Sequence, residues 1–295
     1  MNPYLQPALL SPPPPLEITE AEFLSLKRSR PILNSAFSLE ENYDLLIGNY
    51  LELENSALSL TATSMARQLY DYHEVFELRA EMNRRAVNFL SSARLYVDQL
   101  LQRVGDGGGN KEDIKSCLSA QYDNFFEYRF MEALRNHVQH SGSAVHSSYI
   151  VASWIPPGEL SRQEFVLKVF TRKCFLALDS TFKKTVLKEC PEEVDTLGAT
   201  RRYLESLSVV HEFARCSIEK SVAEARSSFE DAIKKYTAFT GESPIGLTAY
   251  ATPDRDPSHE GFPIFLDWDD VRIKLSLRNR SLLNLSKRVI LSVPT

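Results

Sequence analysis

Between residues 75 and 104 (VFELRAEMNRRAVNFLSSARLYVDQLLQRV), Leu78, Met82, Ala86 and Leu90, then Val97, Leu101 and Val104, recur at intervals of three, four or seven. That interval returns apolar side chains to one face at every turn, so it predicts an amphipathic helix. GDGGG at 105–109 ends it, because consecutive glycines favour turn backbone over helix. Ile114, Leu118, Tyr122, Phe126, Phe130, Leu134 and Val138 then repeat every fourth residue. They predict a helix from Lys111 to His140, with Gly142 in its C′ region. Two helices of similar length joined by a short glycine loop predict an antiparallel hairpin. Upstream, Ser38 and Glu41 in SLEE have capping-box spacing and predict the start of a helix running to about Leu69.

Past the hairpin the period changes. SSYIVASWI (147–155) and EFVLKVFTRKCFLAL (164–178) are rich in β-branched and aromatic residues and predict a strand pair. Helical periodicity returns at 182–190 and from about Glu193 to Phe239. The fold class expected is therefore mainly α: a helical bundle built on a long antiparallel hairpin, with a small strand pair inserted. Residues 38–240 form its body. Residues 1–37, holding Pro12 to Pro15, are expected to be an extended arm, and 241–295 an irregular segment with a basic tail.

Composition narrows the classes. With 43% apolar and 25% charged residues, the chain can build a core without metal or disulfide staples. It holds no long apolar run of membrane-spanning length, and its N-terminus lacks the basic start and apolar core of a secretory signal, so a cytoplasmic protein without membrane contact is expected. Cys117, Cys174, Cys190 and Cys216 form no C-x-x-C pair, which argues against a zinc site and a disulfide framework. A net charge of −5 excludes a uniformly basic surface, yet residues 271–295 carry +6, leaving −11 on the rest.

An arginine and a histidine with four to six residues between them occur twice, at Arg67/His73 and at Arg135/His140. Only the second has the fuller form Arg-Asn-x-x-x-His. This RNHVQH, closing the return arm of a helical hairpin, resembles the signature of the HEPN superfamily, and the helical context extends the resemblance over roughly 75–140. Members of that superfamily are small all-α domains, many of them metal-independent endoribonucleases of toxin–antitoxin, CRISPR-associated and other antiviral defence systems. The resemblance implies an RNA substrate, no metal or other cofactor, a homodimer with a composite site, and an antitoxin or defence-system protein as partner. It implies that Arg135 stabilises charge on the scissile phosphate, that His140 moves a proton to or from a ribose oxygen, and that Asn136 orients one of them.

Helix geometry adds a constraint. At about 100° per residue, Asn136 and His140 share a face while Arg135 and His140 lie about 140° apart. Either the helix opens at its end, or two copies pack so that Arg135 of one meets His140 of the other. Arg129 shares the face of Asn136 and His140 and is a further candidate phosphate contact. Lys183, Lys184, Arg201 and Arg202, and Arg278 and Arg280 in the tail, are candidate RNA-backbone contacts. Structural roles stand beside these: Arg135 pairing with Glu132, Asn136 bonding His140, and His140 finishing the helix against its dipole.

Of the other histidines, His137 falls on the Phe126/Phe130 face and is read as packed core. His146 joins the site if the chain folds back, and His211 with Glu212 is read as a satisfied or surface histidine. Asp267, Asp269 and Asp270 read as a solvated acidic loop. No phosphate-binding glycine loop and no G-x-S-x-G is present. Beside the nuclease stand a non-catalytic helical module that binds RNA or protein, and a structural subunit whose hairpin serves assembly.

Overall fold

The computed structural model describes residues 2–67, 71–154, 163–252 and 260–290. In chain order they form β1 (Asn2–Pro7), β2 (Leu16–Glu17), α1 (Glu20–Ala66), α2 (Tyr72–Asp106), α3 (Lys111–Asn124), α4 (Phe126–His140), β3 (Ser147–Trp154), β4 (Gln163–Arg172), α5 (Lys173–Leu176), α6 (Lys184–Glu189), β5 (Glu193–Asp195), α7 (Thr196–Thr240), β6 (Leu247–Thr252), β7 (Glu260–Pro263) and α8 (Asp267–Arg278). The protein is mainly α with two small antiparallel sheets, ordered β2-β1-β6-β7 and β3-β4-β5. Among the described residues no helix is long and apolar enough to cross a membrane.

The first helix starts eighteen residues before SLEE. A capping box does begin it, but at Thr19 and Glu22: the Thr19 N–H donates to the Glu22 carboxylate (2.7 Å) and the Glu22 N–H to the Thr19 hydroxyl (3.2 Å). Ser38 and even Pro31 lie inside α1. The expected arm is thus β1, β2 and two turns or more of helix, and the expected end near Leu69 lies outside the described residues. β1 alternates buried Pro3, Leu5 and Pro7 with outward Tyr4 and Gln6, and pairs along its whole length with β6. The segment after Gly241 correspondingly holds regular elements, β6, β7 and α8.

The glycine turn between α2 and α3 is a Schellman motif. Gly109 N–H reaches the Val104 carbonyl (2.8 Å), Gly108 N–H reaches that of Gly105 (3.1 Å), and Gly108 sits at φ +88°. The chain then returns antiparallel, and Arg94 of α2 comes within 3.7 Å of Glu132 of α4. The return arm is two helices, because Phe125 adopts extended backbone (φ −125°, ψ 119°). Arg129 answers the carbonyls this break releases, donating to those of Tyr122 (2.7 Å) and Asp123 (2.9 Å).

The chain divides into two compact units interleaved in sequence: residues 1–41, 99–114 and 213–280, and residues 42–98, 115–212 and 281–295. The first packs Leu5, Phe23, Leu33, Phe229 and Phe262 with the four-stranded sheet. Its DWDD residues open α8, and Asp269, fully buried, lies between Arg226 (2.6 Å) and Arg272 (2.5 Å). The acidic stretch is a buried ion-pair anchor and not a solvated loop. The second unit packs Leu46, Met82, Phe89, Phe130, Leu134 and Leu204 with the three-stranded sheet, whose third strand, β5, extends the expected pair. There His211 is buried, stacked on Tyr43 (3.7 Å between ring centroids) with Nδ1 on the Tyr96 hydroxyl (3.0 Å).

Candidate functional site

α4 buries Tyr128, Phe130, Met131, Leu134 and His137; of the residues expected from its period Phe130 and Leu134 are buried, and Phe126 and Val138 stand half out. It remains helical through His140, with the Ser141 N–H closing the last turn on the His137 carbonyl (2.8 Å). The opening that would swing His140 towards Arg135 is therefore not present in the single chain. Arg135 is half-buried, while Asn136 and His140 are exposed.

Of the structural roles expected for these residues, His140 does stand in the last turn of α4, but the two side-chain pairings are not made. Glu132 accepts from the Tyr203 hydroxyl and faces Arg94, not Arg135. Asn136 does not bond His140; its Oδ1 accepts from Arg135 Nη1 (2.8 Å). Among the described residues Arg135 has no carboxylate partner, and its Nε is buried without a hydrogen bond. A guanidinium held by a neutral amide keeps its charge available to an anion.

The further basic candidates divide. Arg129 is tied to Glu189 (2.6 Å), Arg201 makes a bidentate pair with the buried Glu54 (2.5 and 2.8 Å), and Arg202 pairs with Glu205 (2.6 Å) over the Phe125 ring. These three hold the fold. Lys183 donates to the Tyr122 hydroxyl across that ring, while Lys184 is exposed. Arg278 and Arg280 are exposed at the end of α8, in the unit that does not carry the motif.

A cavity of about 900 Å³ opens beside the end of α4 and is lined by Arg79, His137, Gly142, His146, Phe175 and Asp179, among others. His137 and Asp179 are each only 4% exposed and are joined Nδ1 to Oδ2 at 2.7 Å. The other oxygen of Asp179 accepts from the Thr181 hydroxyl (2.6 Å) and N–H (2.9 Å). Hydrogen bonding from the Thr181 hydroxyl first, and from His137 next, holds the Asp179 carboxyl well below the usual range. An ionised Asp179 fixes a proton on His137 Nδ1, and the opposite edge, Nε2, is buried with no partner among the described residues.

Gly142 explains that edge. A methyl group there would lie 2.6 Å from His137 Nε2, and Gly142 is not at positive φ. It is required for space, not for left-handed backbone as its position after a helix suggests. His146 stacks on Phe175 (4.7 Å, 10° between planes), and its Nδ1 accepts the Arg172 N–H (3.1 Å), which leaves its proton on Nε2. Burial, then electrostatic repulsion by the neighbouring His137, Arg79 and Arg172, lowers its pKa to about 4. Arg79 has no carboxylate partner among the described residues.

No protein-family model, curated protein or solved structure matches the chain. The functional reading therefore stands on residues. The sequence indicated α4 and its end, and it placed His137 correctly in the interior. It missed Asp179 and Arg79, whose partners are 42 residues away or absent; the signal available was His137 itself, a buried polar residue that requires a hydrogen-bonding neighbour.

Proposed function

We propose that this protein is an HEPN-like, metal-independent endoribonuclease that works as a homodimer in the cytoplasm, in stress or antiviral defence, with an antitoxin or other defence protein as its partner. The observation that supports this is the motif arginine without a carboxylate, held by the motif asparagine. Since α4 keeps Arg135 and His140 about 140° apart, each site takes Arg135 and Asn136 from one copy and His140 from the other. In such a site the ribose 2′-oxygen bonds to phosphorus, its proton passes to water, and the bond to the 5′-oxygen breaks. Arg135 stabilises the added negative charge of the phosphorane. His140, in the last turn of α4, gives its proton to the leaving 5′-oxygen.

The purified protein is incubated with structured and with single-stranded RNA in EDTA. Wild type is expected to leave 2′,3′-cyclic phosphate ends, Arg135→Ala and His140→Ala to leave RNA intact, and a mixture of the two variants to recover cutting through the one complete site of each heterodimer. Intact RNA with wild type, or cutting by both variants at the wild-type rate, overturns the assignment. RNA retained but not cut identifies a non-catalytic binding module instead.

A further inference from the structure

The cleft beside α4 carries a second reading that does not rest on RNA cleavage. Its wall combines four features: a guanidinium at Arg79 that lies over the Phe76 ring and has no carboxylate partner among the described residues, a ring N–H at His146 Nε2, a buried nitrogen at His137 Nε2 with no hydrogen bond among the described residues, and an aromatic surface where Phe175 stacks on His146. Among the described residues the only acidic one on the wall is Asp179, and its oxygens are occupied by His137 and Thr181. Cation and N–H donors therefore face the cavity with no carboxylate free to answer them. Such a wall selects an anion.

Size and shape say which anion. Some 900 Å³ is far larger than inorganic phosphate needs and falls in the range of small-molecule sites. Phe175, 45% exposed, and Phe76, 43% exposed, present apolar rings at the same cavity. A planar ring stacks on such a surface while a phosphate attached to it reaches the cationic wall. We propose that this cleft binds a nucleotide, its phosphate on Arg79 and the His146 Nε2–H and its base on the Phe175 face, with His137 Nε2 hydrogen-bonded to the ligand or to a water it brings. Gly142 is part of the device, since its missing side chain leaves room at the buried His137 Nε2 edge.

The test is histidine-selective NMR, following ring C–H signals of the full chain as 5′-AMP, 5′-GMP, 5′-CMP or 5′-UMP is added, with inorganic phosphate and unphosphorylated adenosine as separate arms. His137 and His146 signals are expected to shift with at least one nucleotide while His211, stacked on Tyr43 elsewhere in the same unit, does not. Arg79→Gln, which breaks no ion pair among the described residues, is expected to weaken binding about tenfold or more. Phe175→Ala reduces nucleotide affinity to that of phosphate. Absence of any shift up to the solubility limit, unchanged affinity in a folded Arg79→Gln, or phosphate binding as tightly as every nucleotide would each overturn the proposal.

Discussion

Gly142→Ala tests the geometry of the cleft with one methyl group. The added carbon would stand 2.6 Å from His137 Nε2 and 3.0 Å from Cε1, against about 3.5–4.0 Å for an unstrained carbon contact. The ring would have to retreat by roughly 1 Å to make room. It has nowhere to go: Asp179 holds the far edge at 2.7 Å, and the Phe182 ring lies 6.1 Å away centroid to centroid on a buried side chain. Overpacking of this kind costs about 1–3 kcal/mol. Because Gly142 is not at positive φ, none of that cost is backbone strain. In the His137→Ala background the ring is gone and the same methyl faces open space, so the cost of Gly142→Ala should fall close to zero. Urea denaturation of wild type, both single variants and the double variant measures the coupling, expected at about 1–3 kcal/mol. A neutral Gly142→Ala, or one equally costly without the histidine, refutes the argument.

Three further outcomes follow from other parts of the fold. Arg201→Ala leaves the carboxylate of Glu54, 9% exposed, without its bidentate partner and should destabilise by about 2–3 kcal/mol in urea titrations, with Arg201→Lys restoring less than half because an ammonium cannot grip both oxygens. Thr19→Val removes the hydroxyl half of the capping box at the start of α1 and should cost about 1 kcal/mol, with faster amide exchange confined to the first turn of that helix. For His146, burial first and then His137, Arg79 and Arg172 favour the neutral ring, with a folded-state pKa of about 4 against 6.5. The unfolded chain takes up the proton first, so stability is lost as pH falls from 6.5 to about 4, by roughly 3 kcal/mol at most. Urea midpoints across that window should show a slope in wild type and a flatter line in His146→Gln.

What the sequence made legible was local. The four-residue period of α2 and α4 marks helices because each turn repeats the burial, and Leu78, Met82, Ala86 and Leu90 are indeed buried. Further along α2 the buried stripe runs through Ala93, Tyr96, Leu100 and Val104, and Val97 and Leu101 stand half out, since a 3.6-residue turn drifts against a strict heptad. The break at Phe125 was invisible because the apolar period passes through it unbroken, and what fixes it is the side chain of Arg129 reaching back to two carbonyls. β1 was hidden by the run Pro12 to Pro15 that follows it, which read as an arm; its pairing partner, β6, begins at Leu247. The first part of α1 was hidden because SLEE offers capping-box spacing inside the helix.

The two sites share the end of one helix without sharing a face. At about 100° per residue, His137 stands roughly 160° from Arg135, nearly opposite, and 60° from His140. That divergence follows from burial. His137 is interior and its ring is oriented by a carboxylate supplied after β4, whereas Arg135 and Asn136 bond each other on the outer side and His140 projects from the last turn. The inner face therefore already has the pre-organisation a site requires, complete within one chain: an oriented imidazole, a cation and a cavity. The outer face has the motif but lacks a wall, since α4 stays helical to its end and presents Arg135 and His140 in different directions. Under the proposed function such a surface acquires its cavity when a second copy of α4 packs against it and supplies the missing histidine.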